Sequence, residues 1–136
     1  MKFKKIFLWV AQIVVALILL QTLYFKFTGA PESIYIFEKI GIEPWGRYLS
    51  GVAELIAGIL LFTPYSVIGA IIALLVIIPA IFFHLTSLGI EVQGDGGLLF
   101  GMALVVFVLS LIIIVFKWKE SKQLFKQLFK IKKANN

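Results

Sequence analysis

Glu54 is an acid inside an otherwise apolar run, and Lys26, Arg47 and His84 stand at the ends of similar runs. A charged side chain near the middle of a membrane-spanning helix costs roughly 2.5–3.5 kcal/mol on insertion scales, so a carboxylate there needs a partner or a proton. Lys26 ends the first apolar run, Arg47 opens the second, His84 ends the third, and Glu91 and Asp95 precede the fourth. If the runs are helices of alternating direction, all six groups gather at one end, and the opposite end has almost no polar side chains. Glu54, Lys26, Arg47 and His84 are the candidate ligand-binding residues. The carboxylate would accept a hydrogen bond or a proton from a ligand, and the ammonium would supply the compensating charge.

Spacing supports this grouping. Arg47, Gly51, Glu54 and Gly58 are separated by four, three and four residues, which places them on one stripe of a helix. Glycines on such a stripe let a neighbouring backbone come close, so the stripe faces protein. Glu54 lies about 10 Å below Arg47 at a helical rise of about 1.5 Å per residue. Lys26 can extend along its stem to reach it. Ala73, Ile77, Ala80 and His84 share a face on the third run, with Pro79 freeing the carbonyl of Leu75 and permitting a bend. The plainer alternative makes Lys26 and Glu54 a structural ion pair that fixes helix register. In it Arg47 is an interfacial anchor, His84 a headgroup-level residue, and Glu91 and Asp95 solvated loop groups. Tyr24, Tyr35, Trp45 and Tyr48 read as an aromatic belt.

The elements that must hold these residues are four spans, about Ile6–Phe25, Trp45–Phe62, Ser66–Phe83 and Gly97–Phe116. Hydrophobic residues make up 61% of the chain and charged ones 15%, a balance outside the soluble range. The fold predicted is an all-α antiparallel four-helix transmembrane bundle, with residues 1–119 as one domain and 120–136 as a basic amphipathic tail. Pro31 starts a short interfacial helix through about Ile40, with Gly41 as its stop and Ile34, Phe37 and Ile40 at helical spacing. Thr63-Pro64-Tyr65 makes a tight turn, and Gly94-Asp95-Gly96-Gly97 another. In the tail, Lys122, Lys126 and Lys130 share one face and Leu124, Leu128 and Ile131 another, so that segment belongs in the headgroup plane.

Lysines sit at the amino terminus (Lys2, Lys4, Lys5) and crowd the tail, whereas the segment between the third and fourth runs has Glu91 and Asp95 and no lysine or arginine. This bias predicts both termini on the cytoplasmic side of a bacterial inner membrane, with the first run an uncleaved span. It also accounts for the net charge of +6 without nucleic acid. No cysteine is present, which removes thiol, disulfide and iron–sulfur chemistry. The single histidine excludes bis-histidine haem ligation within one chain and argues against a histidine-rich metal site. The reading leans away from an enzyme, with no covalently bound cofactor.

Lys26-Phe27-Thr28-Gly29, the run Gly41-Ile42-Glu43-Pro44-Trp45-Gly46-Arg47, Gly51-Val52-Ala53-Glu54-Leu55, and the stretch His84-Leu85 through Gly89-Ile90-Glu91-Val92-Gln93-Gly94-Asp95-Gly96-Gly97 resemble the DoxX family of small four-span membrane proteins. The resemblance covers about Ile6 to Phe116 and rests on the order of the motifs and their placement at helix ends. It implies kinship with a quinone-coupled thiosulfate oxidoreductase subunit and with membrane parts of redox-stress complexes. Eukaryotic relatives are receptor chaperones and cargo receptors, so the family fold also serves non-enzymes. The expectation for this chain is a quinone-like or lipid-like ligand in an outward-facing polar cavity, with membrane lipid and a partner subunit or second copy as partners. The alternatives are a chaperone or assembly subunit that uses the Gly51/Gly58 stripe, and a proton-coupled enzyme or transporter.

Overall fold

The computed structural model describes all residues from Met1 to Asn136. It is all-helical, with 83% of residues in helices and no strand. Helix α1 (Lys2–Thr28) begins among lysines and ends where Gly29 turns left-handed at φ 68°. That turn sends the amide of Ala30 back to the carbonyl of Phe25 at 3.0 Å, closing the helix as a glycine at this position commonly does. Pro31 then opens α2 (Pro31–Lys39) as its first residue. Ile40 ends it and Gly41 follows at φ 79°, matching the short helix read from the sequence. Phe37 is buried and Ile34 and Ile40 are half-buried, so the predicted apolar face points inward.

Helix α3 (Trp45–Leu61) and helix α4 (Ser66–Phe83) are joined by a four-residue turn. Thr63 organises it: its hydroxyl accepts the amide of Tyr65 at 3.1 Å and its carbonyl accepts the amide of Ser66 at 3.2 Å. Helix α4 runs through Pro79 without interruption and passes into a π-turn, His84–Leu88, which stops at Gly89. The loop before α5 is held by Asp95. Its carboxylate accepts the amides of Val92 (3.0 Å), Gly97 (2.8 Å) and Leu99 (3.0 Å), capping the start of α5 (Leu98–Ala134). Asp95 is therefore a structural cap and not a free loop residue; Glu91 is exposed, as expected.

Three helices are long and apolar enough to cross a membrane by length and composition: α1, α4 with its π-turn, and α5. This marks the chain as a membrane protein. Large apolar side chains such as Leu17, Ile56, Leu75 and Val115 lie open on the surface, as a lipid solvent permits. The second expected run, Trp45–Phe62, forms α3, which has 17 residues and carries both Arg47 and Glu54. It packs between α1 and α4, and α5 packs against both α4 and α1. Their shared core contains Ala11, Ala16, Ala57, Ala70 and Ala73 alongside Val15, Leu19, Leu61, Ile77, Val106 and Ile113. Small residues at such seams let helix backbones approach where no hydrophobic force drives them together.

Two expectations change. The tail is no separate element, because α5 crosses position 119/120 unbroken. Ser121 is buried and Phe125 rests against Tyr65 with ring centroids 6.4 Å apart, so the first turns of the tail pack on the α3–α4 turn. The reason is that the inward stripe of α5 (Val106, Ser110, Ile113) continues through Lys117 to Ser121 at spacings of four, three, four and four. Second, the end carrying the termini is polar inside: Gln12 and Ser66 are buried there and Lys117 reaches both.

Gly69 and Gly101 give contrasting packing tests. A Cβ added at Gly69 would stand 2.9 Å from the carbonyl oxygen of Ala57 and 3.0 Å from the amide nitrogen of Leu61, both backbone atoms that cannot swing aside. At Gly101 it would meet nothing within 4 Å. Gly69→Ala should therefore destabilise by roughly 1–3 kcal/mol, while Gly101→Ala should be neutral or stabilise by up to about 1 kcal/mol; thermal unfolding in one detergent compares them. For Asp95, burial raises the pKa, but the three amides and the nearby His84 outweigh it and hold the carboxyl below its ordinary value. The cap is thus fully present above the ordinary aspartate pKa of about 3.9 and is lost as pH falls through the lower folded value. Asp95→Ala should cost roughly 1 kcal/mol at pH 7, and its difference from wild type should shrink as pH falls below the ordinary aspartate pKa of about 3.9. A constant difference across that range would contradict the cap.

Candidate functional site

The inward stripe of α1 runs through Leu8, Gln12, Val15 and Leu19 and continues to Thr22 and Lys26. The facing stripe of α3 carries Arg47, Gly51, Glu54 and Gly58, all buried. The two helices run antiparallel: the Cβ position of Gly51 lies 3.0 Å from the Phe27 ring, and that of Gly58 lies 2.7 Å from Leu20. Glu54 thereby faces the last turns of α1. Its Oε1 accepts Lys26 Nζ at 2.6 Å, and its Oε2 accepts the Thr22 hydroxyl at 2.8 Å. The side chain of Glu54 is 5% exposed and that of Lys26 14%.

Both carboxylate oxygens are thus engaged from α1. The Lys26 ammonium makes one hydrogen bond, to Glu54, and lies 5.7 Å from the centre of the Phe37 ring on α2. Two of its three N–H groups remain available to another acceptor. Thr22 was not among the residues singled out from sequence. Its position four before Lys26, on the stripe that already held Val15 and Leu19, was the signal that could have found it.

Arg47 is not an interfacial anchor. It is 4% exposed, and its guanidinium binds the Glu43 carboxylate through Nε (2.9 and 3.0 Å) and Nη2 (2.7 Å). Nη1 donates to the carbonyl of Lys26. That carbonyl belongs to the last turn of α1, where the helix presents unpaired acceptors and the negative end of its dipole. Arg47 therefore clamps the end of α1 to the loop before α3, directly above the Lys26–Glu54 pair. The planar fork of arginine suits this two-sided task, and Glu43 was overlooked because a loop acid four residues before an arginine reads as solvent-exposed.

His84 is buried at 6% exposure, but its partners lie elsewhere. Its Nδ1 is 2.9 Å from the carbonyl of Gly89, and its ring packs at 5.5 Å from that of Phe100. With a carbonyl as partner, Nδ1 carries the proton. His84 thus staples the π-turn to the start of α5 and does not share contacts with Glu54. Helix α2 touches α1, α3 and the π-turn, so all four expected residues do lie at the end covered by α2. Two of them, Lys26 and Glu54, form one pair; Arg47 supports it from above; His84 belongs to a separate contact.

At this end the Phe37 ring lies beside the Lys26 ammonium and the Phe27 ring against Gly51. A cleft of about 290 Å³ lies at the opposite end, beside Ser66 and Lys117. No three metal-ligating side chains come together. The polar groups can hold a hydrogen-bonding head, donate from an ammonium and accept at a carboxylate. Comparison with family models, with curated proteins and with solved structures gives no match.

A double-mutant cycle tests how the pair acts. Removing one partner of a buried pair typically costs 3–5 kcal/mol, because the other charge is stranded. Glu54→Leu and Lys26→Met should each destabilise by about 3 kcal/mol, the low end of that range, since Lys26 is not fully enclosed. The double variant should lose less than the sum by roughly 1–3 kcal/mol. Strict additivity in detergent unfolding would show that the two groups do not depend on one another.

Proposed function

We propose that the protein is a four-span membrane protein of the DoxX type, which binds a lipophilic molecule with a polar head at the Lys26–Glu54 pair. The arrangement that supports four spans is the antiparallel packing of α3 against its neighbours. Its 17 residues span about 25 Å at the helical rise, near the lower limit for crossing a membrane. The lysine-rich termini support a cytoplasmic placement of both ends, in the inner membrane of a bacterium. The polar pair then lies in the outer half of the bilayer, under the interfacial helix α2.

One observation carries the ligand reading: the Lys26 ammonium has free donors and is partly open, with the Phe37 ring 5.7 Å away. A ligand carbonyl, as in a quinone, would take a donor from Lys26 while Glu54 stays held by Thr22. A ligand hydroxyl would donate to Glu54. Entry requires Phe37 or Phe27 to move, and Phe27 is 41% exposed. The protein on this reading is an accessory or carrier subunit and not itself an enzyme. The chaperone alternative loses the surface proposed for it, because Gly51 and Gly58 are packed against Phe27 and Leu20 of the chain's own α1.

Native mass spectrometry with a short-chain quinone checks the reading. Lys26→Ala should reduce retention about tenfold, the equivalent of one charge-assisted hydrogen bond. Glu54→Gln, which keeps the shape and the Thr22 contact, should reduce it severalfold. Retention unchanged in both variants, with stability lowered in either, would leave the pair a structural tie and reject the ligand.

A further inference from the structure

At the end of the helices that carries the termini, Lys117 Nζ donates to Ser66 Oγ at 2.8 Å and to Gln12 Oε1 at 3.1 Å. Gln12 in turn donates through Nε2 to the carbonyl of Leu61. One ammonium therefore joins α5, α4 and α1, and through Gln12 the end of α3. Both its partners are neutral. The structure has two ion pairs, Lys26–Glu54 and Arg47–Glu43, and neither involves Lys117. Gln12 is 1% exposed and Ser66 fully buried, so both groups to which the ammonium donates are enclosed and neutral.

The cleft of about 290 Å³ opens onto this ammonium and is lined by Ser66, Val67, Lys117, Glu120, Ser121 and Gln127, among others. Lys117 and the first residues of α4 stand on its wall. Lys117 has a third N–H. Ser66 accepts from Lys117, so its own hydroxyl proton is left for an acceptor. Ser66 and Val67 also begin α4, an 18-residue helix whose dipole favours an anion, although the Ser66 amide itself is held by the Thr63 carbonyl. Glu120 brings the opposite charge to the same cleft, yet it forms no ion pair with Lys117 three residues earlier. An acid and an amine on one wall, unpaired with each other, fit a ligand that carries both charges at a fixed separation. The cleft stands where the apolar run of α5 gives way to Lys117, Trp118 and Lys119, with Trp118 45% exposed; this is headgroup depth for a membrane helix.

We propose that this cleft is a phospholipid headgroup site. The phosphate binds Lys117, Ser66 and the start of α4, and a primary amine on the same headgroup binds Glu120, as phosphoethanolamine would. Its volume, at the low end for ligand sites, suits a headgroup whose acyl chains remain in the bilayer. The site is separate from the Lys26–Glu54 pair, at the other end of the same helices, and stands without it.

The test is lipid retention by native mass spectrometry after release of the full chain from nanodiscs of equimolar phosphatidylethanolamine and phosphatidylglycerol. Wild type should retain phosphatidylethanolamine in preference. Lys117→Met should lower retention of both lipids about tenfold, the effect of one charge-assisted contact. Glu120 is exposed, so Glu120→Gln leaves folding intact. It should abolish the preference while total phospholipid retained stays the same. Equal retention of the two lipids by wild type, or a preference that survives Glu120→Gln, overturns the amine assignment and the proposal with it. Displacement of the lipid by millimolar inorganic phosphate would mean that a free anion is the occupant, and also overturns it. If Lys117→Met fails to fold, the Glu120→Gln comparison decides alone.

Discussion

An ionised side chain carried into hydrocarbon must be matched by protein, because acyl chains offer neither hydrogen bonds nor a dielectric that tolerates charge. On the four-span reading proposed above, Glu54 imposes that demand on this fold. Thr22 and Lys26 meet it from α1, and the requirement that both reach the same carboxylate sets the register of α1 against α3. Gly51 and Gly58 make the approach close enough. Arg47 then closes the end of α1 through the Lys26 carbonyl and holds Glu43 beside it. Against well-packed apolar residues a buried ion pair contributes little net stability, whereas breaking it strands a charge. Its consequence here is specificity of packing: only one alignment of α1 and α3 leaves no orphaned charge.

The opposite end uses the same logic with a different balance. Gln12, Ser66 and the carbonyl of Leu61 join the helices around the Lys117 ammonium. The end covered by α2 pairs each buried cation with an acid of the chain, while this end leaves its cation to neutral partners and an open cleft. The helices are thus fastened at both ends by polar contacts, with a core of alanine, valine, leucine and isoleucine between. At one end each buried cation is matched by an acid of the chain; at the other the hydrogen-bond partners of the ammonium are neutral.

Much of the candidate site was legible in the chain. The stripe Arg47–Gly51–Glu54–Gly58 faces protein, Lys26 meets Glu54, and Pro31 and Gly41 bound the short helix over them. These follow from helical periodicity and from local turn chemistry, both of which are written in residues close in sequence. Thr22 and Glu43 were missed because a threonine in an apolar run and an acid in a loop are unremarkable until a partner is placed against them. Gln12 and Lys117 were missed for a related reason: each looked like a member of its surroundings, a polar interruption in one case and one tail lysine among seven in the other. The apparent one-sidedness of the polar groups was an effect of counting charges and overlooking a glutamine and a serine that hydrogen bonding makes equally demanding inside a fold.

By itself the sequence determined that the chain is helical, that its long apolar runs belong in a membrane, and that Glu54 must face protein. Composition and the helical repeat suffice for these, since each is a property of one segment and its solvent. Tertiary structure alone decided that Arg47 clamps the end of α1, that His84 serves the turn at Gly89, and that Lys117 points inward between four helices. Those outcomes depend on the rotation of each helix about its axis and on which residue stands across the seam. Such relations join positions as far apart as Gln12 and Lys117, and no local pattern records them.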